Sequence, residues 1–290
     1  MIDAYELCRY PGESNKRGAA AKNIMLEKDK WTIKDWVRRL KEQAEETKEY
    51  RHRLYEKVEV KTKRDILDAG CGTGVITADI ASLTTGDVIG IDIDRKKLEQ
   101  AKILVSDSVT LLEADVLQLP FKDEAFDLVI FSVLLIYIKN QQRAVNEMTR
   151  VTKKNGIVLA TTEPDYAGAI FYPENEMYSL FLKDLEEMGA DFCTGRKLRS
   201  LFSKAGLQTE IGLHTEYFDM MNKDTKEQVT LFLDHFWFTE KLLRKHNWID
   251  EEIETYKQER VQLIETNQLF YYLPTFYAIG KKCGISQEKG

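Results

Sequence analysis

The chain has 290 residues, 43% of them hydrophobic and 31% charged; this is long enough for one large α/β domain with insertions or a cap, and too apolar for wholesale disorder. A net charge of −6 argues against a protein that grips nucleic acid through general positive charge. No stretch approaches the roughly 18 consecutive apolar residues that a membrane-spanning helix needs.

In chain order, residues 1–30 read as a loose polar arm containing Pro11 and Gly12. Thr32 with Asp35 has the spacing of a capping box. Trp36, Leu40, Ala44, Thr47, Tyr50 and Leu54 then recur at helical intervals, predicting one long helix from Ile33 to Val58. After it, short apolar runs alternate with helical patterns, the mark of a mostly parallel sheet covered on both faces. Strands are expected at Asp65–Ala69, Asp87–Ile93, Val109–Asp115, Phe126–Val133 and Gly156–Glu163, with helices at Val75–Ser82, Arg95–Ser106 and Gln141–Lys153. The link 116–125, broken by Pro120, is too short for a full helix.

Further helices are expected over Pro173–Met188 and Gly195–Ala205, the second stopped by Gly206 as a C′ glycine. A sixth strand follows at Leu207–Asp219, then two charged amphipathic stretches at Asp224–His246 and Asp250–Asn267, and a last strand at Leu269–Lys282. The organisation is therefore an N-terminal arm and helix (1–60, a lid), a core (61–219), a helical insertion (220–268, a cap), and a final core strand with a tail (269–290). The cysteines Cys8, Cys71, Cys193 and Cys283 form no C-x-x-C pair, so neither a zinc site nor a disulfide framework is expected. The opening MIDAYELCRYPGESNKRG has no apolar core behind a basic head, so no secretory leader is expected and a reducing, cytoplasmic setting fits.

The strongest motif is Asp68-Ala69-Gly70-Cys71-Gly72-Thr73-Gly74, at the exit of the first strand. Glycines at 70, 72 and 74 let the backbone turn sharply and approach a ligand, and the helix behind them presents free N–H groups. The nicotinamide-type spacing G-x-G-x-x-G would need a third glycine at Val75. Two aspartates stand at the ends of the next strands, in Gly90-Ile91-Asp92-Ile93 and Glu113-Ala114-Asp115-Val116. All three features lie at C-terminal strand ends, where an open α/β sheet binds its ligands.

The pattern D-x-G-x-G-x-G resembles motif I of the class I S-adenosylmethionine-dependent methyltransferases, and the resemblance extends from about Arg51 to Leu213 and returns at the final strand. It implies a Rossmann-like seven-stranded sheet, mostly parallel with an antiparallel last strand, helices on both faces, and here a helical cap. It implies S-adenosyl-L-methionine as cofactor, held by Asp68, Gly70, Cys71, Gly72 and Gly74. Asp92 with Ile93 would take the ribose, Asp115 and Val116 the adenine, and Ser132, at the end of the fourth strand, the methionine portion. A carboxylate suits the ribose because it accepts two hydrogen bonds from a vicinal diol. Arg150-Val151 through Asn155-Gly156 resembles the family's R-V-L-K-P-G-G, with Asn155 in place of the proline and Ile157 in place of the second glycine.

On the acceptor side, Glu163-Pro164-Asp165-Tyr166 resembles the E-P-D-Y-G-G of one branch, with Ala167 replacing the first glycine. Glu163, Asp165, Tyr166 and Tyr137 are the candidate acceptor residues. His214 and His235 are possible bases, Arg196 a possible anion contact, and Phe232, Phe236, Trp237 and Phe238 a possible pocket lining or plain core. No catalytic residue is singled out, because methyl transfer from a sulfonium relies on alignment and needs a base only for a protonated acceptor. No metal is expected. The leading reading is a methyltransferase acting on a small molecule, with nucleic acid and membrane disfavoured as partners and a monomer or homodimer expected. The alternatives are an RNA- or protein-directed methyltransferase and a non-catalytic cofactor-binding regulator.

Overall fold

The computed structural model describes residues 32–283; the N-terminal arm and the last seven residues lie outside that range. The capping box forms as expected: Thr32 Oγ1 accepts from Asp35 N at 3.2 Å, and Asp35 Oδ2 accepts from Thr32 N at 2.7 Å. The expected long helix is two, α1 (Ile33–Glu46) and α2 (Lys48–Lys57). They part at Thr47, whose hydroxyl bonds back to the Gln43 carbonyl at 2.7 Å, a local side-chain bond that competes with the helix ladder.

The core alternates β1 (Asp65–Ala69), α3 (Val75–Leu83), β2 (Asp87–Asp92), α4 (Arg95–Leu104), β3 (Val109–Glu113), β4 (Phe126–Ser132), α5 (Gln141–Val151) and β5 (Thr152–Pro164). Then come β6 (Ile170–Tyr172), α6 (Glu176–Glu187), α7 (Leu198–Lys204), β7 (Gln208–Leu213), α8 (Glu216–Met221), α9 (Thr225–Lys245), α10 (Asp250–Glu265), β8 (Phe270–Tyr272) and β9 (Thr275–Lys281). The main sheet has seven strands in the order β3-β2-β1-β4-β5-β9-β7. β9 runs antiparallel to both its neighbours, and the other pairings are parallel. This is the expected Rossmann-like architecture.

Alternate residues of the central strands point to opposite faces. Leu67, Ala69, Val129, Phe131, Val158 and Ala160 pack with Val145 and Met148 of α5 and Phe202 of α7. Ile66, Leu128, Ile130 and Leu159 pack on the other face with Leu54 and Tyr55 of α2 and Ile80 of α3. α6, from the stretch assigned to the core, packs with α9 and α10 of the 220–268 insertion around a small core of their own, in which Phe236, Leu243, Ile253 and Tyr256 meet Met177 and Leu180.

Two expected strands are corrected. The run Leu207–Asp219 is strand only to Leu213 and then becomes α8. The run Leu269–Lys282 breaks before Thr275: Pro274 has no N–H for a ladder, so β8 leaves the main sheet and pairs with β6 in a separate two-stranded sheet. Gly206 takes the expected positive φ of 78° behind α7. Cys71 and Cys283 are free thiols while Cys193 is disulfide-bonded, which the spacing of the cysteines gave no reason to expect.

His214 bridges the end of β7 to the sheet. Its ring lies between Tyr50 and Tyr277, with centroids 4.0 and 5.3 Å away, and its Nε2–H donates to the Thr161 carbonyl at 2.8 Å. Burial disfavours the imidazolium and lowers the pKa from 6.5 to about 4. Between those values the unfolded chain binds the proton that the folded chain refuses, so this contribution is complete above pH 6.5 and is lost as pH falls towards 4. Relative to His214→Phe, the native protein is expected to lose up to about 3 kcal/mol of stability between pH 7 and pH 4. Denaturant unfolding of both proteins across that range measures it, and parallel pH curves would refute the role.

Candidate active site

The turn after β1 is wired to the end of β2. Gly70 N and Cys71 N both donate to the Ile91 carbonyl at 2.8 Å, and Gly74 N donates to Cys71 O at 2.9 Å. Gly70, Gly72 and Gly74 have φ of 76°, 54° and 79°, the left-handed region that a side chain penalises. A Cβ at Gly74 would also stand 2.8 Å from Ala101 Cβ, whereas one at Gly72 would meet only Leu40 Cδ1, at 3.6 Å. Gly72 thus leaves a backbone face that a side chain would fill, between the turn and α1.

Asp92, half-buried at the end of β2, accepts from Gly72 N at 2.9 Å and from Asp94 N at 2.8 Å. A carboxylate has about four acceptor positions, so two remain for a ligand. Ile93 beside it is 70% exposed, a lone apolar surface at this edge. Asp115 is exposed and accepts from Leu117 N at 2.8 Å, while Val116 turns inward and is buried. The structure therefore brings the glycine turn, Asp92, Ile93, Asp115 and Val116 to one end of the sheet, with half-buried Ser132 at the neighbouring end of β4. Asp68 stands differently: it is buried beneath the turn and accepts from Thr77 Oγ1 at 2.6 Å. Burial holds its pKa up at about 6. Cys71 is buried too, and burial raises its thiol pKa.

Residues 67–160 match the profile of the methyltransferase-domain family. A demethylmenaquinone methyltransferase of Staphylococcus saprophyticus is 28% identical over 56% of this chain and 78% of its own length. One from Staphylococcus aureus is 33% identical over 48% of this chain and 58% of its own length. Among solved structures, phosphoethanolamine N-methyltransferase 2 of Haemonchus contortus, in complex with phosphomonomethylethanolamine and S-adenosylhomocysteine, aligns with a TM-score of 0.52 at 18% identity. That alignment covers 77% of this chain and 50% of the other, and it speaks for the fold. Together, the matched domain, these relatives and the fold support a class I S-adenosylmethionine-dependent methyltransferase.

The methyltransferase cofactor is S-adenosyl-L-methionine, and the residues present fit it. The open face at Gly72, the two unspent acceptor positions of Asp92 and the exposed Ile93 are what an adenosine requires: close backbone approach, hydroxyl acceptors and an apolar surface.

The acceptor-side candidates separate into two groups. Tyr137 is 48% exposed at the end of the short turn Leu135–Tyr137. Tyr166 lies edge-on to Phe181, with centroids 5.1 Å apart, and Phe181 in turn meets Phe238 of α9 at 6.2 Å. Arg39 of α1 sits 5.3 Å over the Phe238 ring. Tyr166, Phe181 and Phe238 thus form one run of ring contacts from just past the end of β5 to α9, with Arg39 of α1 over its far end. Asp165, by contrast, is held by Arg196: its oxygens take the Arg196 backbone N–H at 2.9 Å and Nε and Nη2 at 2.6 Å each. Fully buried and paired in this fork, Asp165 locks the turn after β5 to the segment before α7. The Arg196 guanidinium is correspondingly engaged with protein.

Glu163 is completely buried. Its Oε1 accepts from Leu134 N at 2.8 Å and Leu135 N at 3.4 Å, while Oε2 is buried without a partner among the described residues. Burial raises its pKa to about 8 against these backbone donors, so the carboxyl is neutral at pH 7. His214 is committed to Thr161, and His235 of α9 lies 3.5 Å from Glu46 at the end of α1. Of the aromatic run in α9, Phe232 and Phe236 fill the cap core. Trp237 Nε1 donates to both Glu42 oxygens at 3.0 Å. Sequence reasoning missed Arg39 and the Thr77 clamp on Asp68, since neither belongs to a local motif. Asp92→Ala is expected to weaken S-adenosylhomocysteine binding by about 1–3 kcal/mol, the cost of losing charge-assisted hydrogen bonds. Titration calorimetry returning native affinity would remove Asp92 from the site.

Proposed function

We propose that this methyltransferase acts on a small-molecule acceptor bound between the C-terminal strand ends and the helical cap. The observation that carries this reading is the run of ring contacts from Tyr166, just past the end of β5, through Phe181 to Phe238 of α9, with Arg39 of α1 over the last ring. An apolar, aromatic lining of this kind suits a small ligand better than a polymer. The bound cofactor supplies a methyl group on a sulfonium, open to in-line displacement with the departing electron pair left on sulfur. The chain's own share is to bind and orient. Asp92 and Asp115 fix the nucleoside, the glycine turn admits the cofactor's main body, and Tyr137 and Tyr166 line the acceptor side. Alignment of this kind accounts for much of the rate in such a transfer.

α1 and α9 close over this lining as one lid. Lys241 of α9 pairs with Asp35 of α1, Arg38 stacks 4.3 Å over Trp237, and Arg38 Nη2 donates to the Asp234 carbonyl at 3.3 Å. Limited proteolysis is expected to show saturating S-adenosylhomocysteine protecting 32–58 and 224–267; equal cleavage with and without it would remove the lid. No helix among the described residues is long and apolar enough to cross a membrane.

The similar demethylmenaquinone methyltransferases make a naphthoquinol lacking its ring methyl the first acceptor to test, followed by fractionated metabolites and tRNA. With radiolabelled methyl donor, label is expected in the naphthoquinol or a metabolite fraction and absent from tRNA. Label in tRNA alone would overturn the small-molecule reading.

A further inference from the structure

The loop that leaves β4 is strained where it meets the cofactor turn. Val133 has a φ of 49°, and for a β-branched residue this left-handed conformation is an outlier that persists only when its surroundings over-determine it. Two contacts do so. Val133 N donates to the Thr162 carbonyl at 2.7 Å, and the next residues, Leu134 and Leu135, give their N–H groups to Glu163 Oε1. Leu134 then lies against the glycine turn, so close that a Cβ on Gly70 would come within 2.6 Å of its Cδ1. The last turn residue is Tyr137, on the acceptor side. One buried carboxyl therefore fixes a loop that sets Leu134 against the cofactor turn and ends at Tyr137.

We propose that Glu163 is a positioning residue: its carboxyl holds the 133–137 loop in its strained conformation and so sets Leu134 against Gly70 in the cofactor site. This rests on the methyltransferase reading of that site. The residue works through the loop and does not itself need to touch the transferred methyl. Since the carboxyl is neutral at pH 7, with its pKa raised to about 8 by burial, a glutamine side chain reproduces both its shape and its carbonyl acceptor. The role therefore survives Glu163→Gln and is lost in Glu163→Leu, which offers the loop no acceptor and leaves two N–H groups unsatisfied.

The experiment is titration calorimetry with S-adenosylhomocysteine on the full chain, with thermal unfolding of each variant as a second readout. Glu163→Gln is expected to bind within about threefold of the native protein and Glu163→Leu at least about tenfold more weakly, the worth of one lost hydrogen bond. Adding Val133→Gly to Glu163→Leu relieves the positive φ and is expected to recover part of that affinity. A general loss of stability would not be repaired by a glycine at that one position. Folded Glu163→Leu binding like the native protein would overturn the proposal. If Glu163→Leu does not fold, Leu134→Ala takes its place: it is expected to weaken binding about fivefold through the emptied contact with Gly70, and native affinity would again overturn the proposal. A native protein that fails to bind S-adenosylhomocysteine would instead bring down the cofactor assignment itself.

Discussion

The carbonyl of Ile91 receives the N–H groups of both Gly70 and Cys71, and most of the site follows from that shared acceptor. It ties the exit of β1 to the end of β2, so the glycine turn cannot move without its neighbouring strand. Asp92, one residue on, adds its carboxylate to Gly72 N. The side chain expected to meet the ribose is therefore also part of the frame that shapes the turn, and ligand contact and local order are coupled at a single residue. Asp68 completes the arrangement from below, buried and clamped by Thr77, which supports the turn from the protein side.

Most of the core was legible in the sequence because it is written in local patterns. β1 falls at the expected Asp65–Ala69, and β2, β3 and β4 begin where expected and end one or two residues earlier. The central strands β1 and β4, buried along most of their length, read as nearly continuous apolar runs. The cofactor motif was legible for a related reason: it needs particular residue types at fixed spacing. What the sequence concealed depends on contacts between distant segments. Leu269–Lys282 looked like one strand, yet its first part has a better partner in β6, and no periodicity reveals that choice.

The acceptor side was read less well. Glu163, Asp165 and Tyr166 stand together in the chain and were grouped as one substrate-facing stretch, but the strand end sends them to different tasks. Asp165 joins Arg196, Glu163 turns under the loop from β4, and Tyr166 meets the aromatic rings leading to the cap. A resemblance over a short motif transfers residue types; it does not transfer the partners that decide what each side chain does. Arg39 shows the converse, since it meets that run of rings from a helix more than a hundred residues away in sequence from Tyr166.

The helical cap has a hydrophobic centre of its own, in Phe236, Leu243, Ile253 and Tyr256, while the residues proposed to hold the nucleoside stand at the ends of β1, β2 and β3. Each half thus solves its packing problem separately. Substitutions inside the cap can therefore alter the proposed acceptor side while the proposed nucleoside site stays intact, so acceptor preference can change without rebuilding the sheet. The same partition offers a route to altering the range of compounds methylated by exchanging α9 and α10 between related enzymes.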